Sequence, residues 1–366
     1  MHHTVHLFYK CNTHEFSALF KALAQVSEDR GCKFYEIYKE SLYRFELLKK
    51  NGIQIQLVQV SFEDGISYRA VELIMNPMRL LNGEDYISLA SQSYRSQIEK
   101  AFHQIWALVK ERFNHTRINP NLKFKLDLLS SYKVKRIDIA TNLHVPYPEI
   151  YMKLIRRSNI PKGFQLYTEF NAIGKRHVPP KDSFYIFREK LGKEGNRSKK
   201  SITINCYNKN VQLHENNLNG AEQIRNIIRF EVQCHYDKVY RITKSKKFEN
   251  QSYFQFIEEE LSNSIIQAYF KKTIGFGDYY SLSAAKKVLM QSSVRQSTKD
   301  KLSDTLDLVS QKRSIAKASE ASKDKKKFNE NINKLNKLGI NAVTIPFSEK
   351  LEFLPCIFEY FLEELI

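Results

Sequence analysis

The 366-residue chain has five cysteines, an odd number, and no two of them form a Cys-x-x-Cys pair. Scattered as Cys11, Cys32, Cys206, Cys234 and Cys356, they argue against a disulfide framework and a structural zinc site. No apolar run approaches the roughly 20 residues that span a bilayer. The first ten residues lack the long apolar core and small-residue cleavage site of a secretory signal. The expectation is a cytoplasmic protein with reduced thiols and no membrane partner. There is a single Trp beside 24 Phe and 20 Tyr, no internal repeat and no recognisable RNA-binding motif. Acidic residues are also in short supply. Against 58 Lys+Arg stand 40 Asp+Glu, a formal net charge of +18 and a pI near 9.5. Such an excess draws polyanions to the surface, which makes nucleic acid the first candidate partner.

Pattern along the chain predicts an α+β fold. Residues 14–28 read as a helix. Near-alternation over 53–60 and 68–75, with a turn at 63–65, reads as a hairpin. Residues 89–113 carry apolar positions at helical spacing. Pro146 and Pro148 mark a helix start near 147, and residues 159–181 read mostly as loop, with a short strand near 164–170. Beyond about Arg241, residues 253–272 and 283–338 look helical. The lysine-rich run 318–327 reads as a mobile linker or a solvated helix end, and 340–346 as a last strand before a C-terminal helix. The expected division is an α+β domain over 1–245, an open, mainly antiparallel sheet with helices on one face. A mainly helical, basic domain follows over 246–366.

Three β-patterned segments, 135–142, 201–209 and 227–235, carry the chemistry. Side chains two apart on a strand share a face. That puts Arg136, Asp138 and Asn142, then Asn205, Tyr207 and Lys209, then Arg229, Glu231, Gln233 and His235 each on one face, expected to be the uncovered face of the sheet. Asp138 and Glu231 are candidate ligands for a hard cation such as Mg²⁺ or Mn²⁺, with His235 as a third. The plainer reading of Asp138 is an ion pair with Arg136 or Arg229. Tyr185 and Tyr207 are the candidate phenol nucleophiles, and Lys209 is placed to lower a phenol pKa or hold a phosphate.

Arg-Ile-Asp-Ile-Ala-x-Asn at 136–142, Ser-Phe-Tyr-Ile at 183–186, Ile-x-Ile-Asn-Cys-Tyr-Asn-Lys at 202–209 and Ile-Ile-Arg-Phe-Glu-Val-Gln at 227–233 follow in that order. Together they resemble the replication initiation factor family, which includes plasmid rolling-circle initiators, related relaxases and filamentous-phage-type replication proteins. The resemblance implies a site-specific endonuclease that nicks and rejoins one strand of origin DNA. It uses a divalent metal and forms a 5′-phosphotyrosine link and a free 3′ hydroxyl. It assigns Asp138 and Glu231 to the acidic positions, Tyr207 and Lys209 to the Tyr-x-Lys segment, and Arg229 to the basic position. Tyr185 matches the nicking strand and is favoured over Tyr207. Many members continue that strand with Gly-Ser, whereas this chain has Phe187-Arg188 and a basic insertion. No two-histidine metal motif is present.

Expected partners are duplex origin DNA and a single strand, with a host helicase and polymerase. Arg188, Arg197, Lys199, Lys200, Lys286, Lys287 and Arg295 are the expected DNA contacts, and the basic stretch 271–327 the duplex grip. A sequence-specific DNA-binding replication protein or regulator without catalysis is the competing reading.

Overall fold

A computed structural model describes all residues except 39–40, 62–66, 107–125, 171–176, 179–181, 191–198, 219, 221–223 and 363–366. The fold is α+β: a ten-stranded open antiparallel sheet with helices gathered toward the C-terminus. The strands are β1 (His2–Lys10), β2 (Phe34–Tyr38), β3 (Leu42–Phe45), β4 (Ile53–Ser61), β5 (Ser67–Met75), β6 (Lys133–His144), β7 (Gln165–Leu166), β10 (Ser183–Lys190), β11 (Lys199–Asn208) and β12 (Ile227–Cys234). Their order is β2-β3-β4-β5-β1-β6-β12-β11-β10-β7. β8 (Glu169–Phe170) with β9 (His177–Val178), and β13 (Tyr279–Tyr280) with β14 (Phe353–Leu354), form two small separate ladders.

The chain divides into two compact units. One comprises Met1–Ala140 with Gln233–Asn263, the other Thr141–Val232 with Ser264–Ile366. This division is interleaved, whereas the sequence suggested a single cut near residue 245. Long-range strand pairing is the reason, since β6 and β12 are each crossed by the boundary.

In the first unit, α1 (Thr13–Arg30) begins at a capping box. The Asn12 side chain accepts the Glu15 N–H, and the Glu15 carboxylate accepts the Asn12 N–H. Such a pair satisfies two donors that a helix start leaves open. Phe16, Leu19, Leu23 and Val26 form its buried stripe. α2 (Pro77–Asn82) starts with Pro at its first turn behind Asn76, whose side chain accepts the Arg79 N–H. α3 (Arg95–Ile105) covers the middle of the expected 89–113 helix, and 107–113 lies outside the described residues, as does the expected turn at 63–65. β1, β2 and β3 have no counterpart among the expected elements. β1 pairs with both β5 and β6, and its His2 is fully buried against the Tyr253 hydroxyl. Burial pushes the His2 imidazole down to about 3, helped by the nearby amino terminus.

Glu72 on β5 is buried between His6 and Lys135: its carboxylate accepts from His6 Nε2 at 2.8 Å and from Lys135 Nζ. Burial alone would raise the Glu72 pKa, but the His6 bond and charge and the Lys135 charge together hold it below the usual range.

In the second unit, α4 (Pro148–Ile155) starts at Pro148 as the prolines predict. α5 (Lys209–Glu215) follows β11 directly. The C-terminal part holds α8 (Leu282–Gln291), α9 (Gln296–Lys312), α10 (Ile315–Ala321), α11 (Lys325–Lys337) and α12 (Glu359–Leu362). α6 (Tyr236–Ser245) belongs to the first unit, and the boundary falls inside α7 (Glu259–Thr273). The run 318–327 is neither a linker nor a single helix end. It contains the end of α10, a turn and the start of α11, because Asp324 caps the new helix by accepting the Lys326 and Lys327 N–H groups. The expected strand at 340–346 reduces to isolated bridges from Ile340 to Asp278 and from Ile345 to Ser281. Among the described residues, no helix is long and apolar enough to cross a membrane.

The Glu72 carboxylate is lowered on folding. It contributes stability that is present in full above its ordinary pKa of 4.5 and is lost as the pH falls through the folded value. In urea titrations between pH 3 and pH 6, Glu72→Gln should be less stable than the parent at pH 6, and the gap should close with acid. A gap that stays constant would rule out this linkage.

Candidate active site: a tyrosine–lysine cleft

The hairpin of β10 and β11 sorts its side chains cleanly. Phe184 and Ile186 on β10, with Ile202, Ile204 and Cys206 on β11, are buried on one side. The register pairs Ser183 with Tyr207, Tyr185 with Asn205, and Phe187 with Thr203. Directly opposed residues share a face, so Tyr185 and Tyr207 stand diagonally on the other side. Both are half-buried and line one open cleft of about 710 Å³.

At one end of the cleft Tyr185 meets Tyr167 edge-on, ring centroids 4.7 Å apart. Lys200 lies over the rings of Tyr185 and Phe187, 5.5 and 4.6 Å from their centroids. A cation over aromatic faces is held by the ring quadrupoles, and its charge remains within the cleft. The cleft is also lined by Asn205, Asn208, Gln212, Asp182 and Glu215. Tyr167 falls within the short strand expected near 164–170, just after β7. Gln212 was legible only through helical spacing, three residues after Lys209.

Lys209 does not extend the strand as expected. β11 stops at Asn208, whose side chain accepts the Asn210 and Val211 N–H groups and turns the chain into α5. Lys209 is thus the first helical residue, almost wholly buried at 2% exposure. Its Nζ donates to Gln212 Oε1 at 2.7 Å and sits 6.0 Å from the Tyr207 ring centroid. Burial and then the Arg229 charge lower its pKa to about 7, with Glu231 pulling the other way. An amine so placed exchanges its proton near neutrality, as general-base lysines do.

Arg229 is fully buried and donates from Nε to Asn142 Oδ1 at 2.8 Å, and Glu231 is buried two residues further along β12. The expected polar face is therefore not open at these residues: Asn142, Lys209, Arg229 and Glu231 are all buried. Alternation showed which residues share a face, but not that the face would be covered. Buried charges persist only when paired and hydrogen-bonded.

Asp138 and His235 belong to the first unit and Glu231 to the second. Asp138, also buried, is gripped by Arg136, with Nε to Oδ1 and Nη2 to Oδ2 both at 2.9 Å. This is the plainer of the two readings of Asp138. His235 is not on the strand: β12 ends at Cys234, and His235 is the N-cap residue of α6. Both Asp138 oxygens thus face a guanidinium, and Glu231 acts on the charge of Lys209. Among the described residues, no three His, Cys, Asp or Glu side chains gather as a metal-holding group.

Of the expected DNA contacts, Arg188 is exposed on β10 and Lys200 lines the cleft. Lys286 is paired to Asp307 at 2.7 Å, while Lys287 and Arg295 are exposed. Arg197 and the Lys199 side chain lie outside the described residues.

No family model matches the sequence and no curated protein matches it. Among solved structures, the di-domain ARO/CYC StfQ from the steffimycin biosynthetic pathway aligns with 74% of this chain and 96% of its own. The identity is 8% and the TM-score 0.21, a likeness too slight to bear on function.

Two outcomes are expected of the buried charges. Arg136→Ala takes the guanidinium away from the buried Asp138 carboxylate and should cost about 3 kcal/mol in urea denaturation. Adding Asp138→Leu should recover much of that loss. Lys209 is charged in both states below about 7. Between about 7 and its ordinary 10.5 only the unfolded amine keeps its proton, so stability rises with pH across that window. Lys209→Met should flatten this rise, and an unchanged slope would show that the amine is not buried as described.

Proposed function

We propose that this chain is a rolling-circle-type replication initiator that cleaves one DNA strand through a cleft tyrosine. The supporting observation is the pair of phenols, Tyr185 and Tyr207, side by side on one face of β10 and β11, with Lys200 over the first and Lys209 beside the second. The strongly basic chain favours a polyanionic substrate. The aromatic rings of Tyr167, Tyr185 and Phe187 offer stacking surfaces for unpaired bases.

In this reading the Tyr185 oxygen attacks the scissile phosphorus and a new P–O bond forms. The P–O3′ bond breaks, and the phenol's proton passes to the departing 3′ oxygen. The products are a 5′-phosphotyrosine and a free 3′ hydroxyl, so the step is isoenergetic enough to run backwards as rejoining. Lys200, over the Tyr185 ring, holds the phosphate. Tyr207, with Lys209 beside it, offers a second hydroxyl to the phosphate.

The test is adduct formation on the replicon's own supercoiled DNA and on its single strand, with and without added manganese, followed by mapping of the modified residue. Tyr185→Phe should abolish the adduct while leaving DNA binding intact, because binding rests on phosphate contacts. Tyr207→Phe should slow it. Loss of the adduct in Tyr207→Phe alone would exchange the two roles. Normal cleavage by both variants would remove tyrosine chemistry here and leave a non-catalytic DNA-binding replication protein.

A further inference from the structure

The basic C-terminal segment contains a second surface, separate from the cleft. α9 packs on both α10 and α11, and these two pack on each other. Three residues, Ser322–Asp324, join α10 to α11. Leu306 from α9, Ala318 from α10, and Phe328, Ile332 and Leu335 from α11 are buried. Ala318, small and fully buried at the middle of α10, allows its neighbours a close approach. A short helix, a three-residue connection and a longer helix braced by a third share the connectivity of a helix-turn-helix unit.

At 3.6 residues per turn, Lys326, Glu330, Asn333 and Lys337 fall opposite the buried stripe of α11, with Asn329 at the flank. All five are exposed. The exposed face holds no aromatic or aliphatic anchor of the kind a protein partner or a single strand would need. Around the Glu330 carboxylate, an acceptor that suits the cytosine amino group, it offers amides and ammonium groups, which match base edges and phosphates. Beside α11 runs a groove of about 1380 Å³ lined by Lys162, Lys271, Lys272 and Lys325. Among its described lining residues Glu320 is the one carboxylate. Asn329 and Asn333 lie on the groove's helical wall.

We propose that α10, the turn and α11 form a unit that lays α11 in the major groove of duplex DNA. Asn329 and Asn333 read base edges, and Lys271 and Lys272 hold the phosphates of the adjoining strand. This rests on the reading that the chain acts on DNA, but not on the tyrosine chemistry.

The test is selection by the full-length protein from a pool of random duplexes, followed by affinity measurements on the enriched motif over a range of salt. The parent should enrich a motif containing adenine, the base whose edge suits an amide. Asn329→Ala with Asn333→Ala should weaken binding to the motif by at least about fivefold for each base edge no longer read, leaving the salt slope in place. Lys271→Gln with Lys272→Gln should weaken all duplexes and reduce the slope by about 0.9 for each phosphate no longer neutralised. These are exposed positions, and unchanged melting curves would show that each variant is folded.

Failure to enrich any motif, or an asparagine variant that binds the same motif with parental affinity, overturns the proposal. So does loss of the motif in Lys286→Ala with Lys287→Ala but not in the asparagine variant, which would move the reading surface to α8. Adduct formation on single-stranded DNA is scored separately. A motif without an adduct supports this inference and removes the tyrosine chemistry, and an adduct without a motif does the reverse.

Discussion

A guanidinium keeps its charge at any pH a protein survives, and that of Arg229 has no solvent at all. The surroundings have to be built to suit it. Asn142 supplies a neutral acceptor from β6, and the buried Glu231 lies two residues further along the same strand. Lys209 then bears the consequence. Next to a cation that cannot neutralise, a second buried cation is disfavoured, and Lys209 gives way because its proton can leave. The charge under the cleft is thus set by one movable proton on one amine.

The hairpin above this layer divides its labour by strand alternation. Its apolar side completes the core of the second unit while its other side remains available for tyrosines and lysine. Function therefore takes nothing from the packed side, which leaves the cleft residues chemically free to differ from ordinary core residues.

The strands that carry the site were legible because their alternation is strong. Segments 201–209 and 227–235 differ from β11 and β12 by only a residue or two at their ends. Those end residues mattered, since Lys209 begins a helix and His235 caps one. A lysine after Tyr-Asn reads as a strand continuation until Asn208 is recognised as a cap. β1 was missed because three of its first five side chains are histidines, and a buried neutral His2 has no signature in a hydropathy pattern. The Glu72 cluster was equally hidden, as its partners His6 and Lys135 lie 66 and 63 residues away along the chain. Parity could group Asn142, Arg229 and Glu231 by face, but burial depends on what covers that face, and alternation holds no record of it.

An open sheet, unlike a closed barrel, has two edges, and each is an invitation for another chain to add a strand. Here the edges are β2, five residues long, and β7, only two. β7 pairs with β10 at Ile186 and Phe187, and the Tyr167 N–H donates to the Tyr185 carbonyl; beyond them β10 presents the exposed Arg188. Short edge strands and edge charges are the usual guards against strand-to-strand association. The side of the sheet nearest the cleft can remain uncovered without copies of the protein zipping together along it.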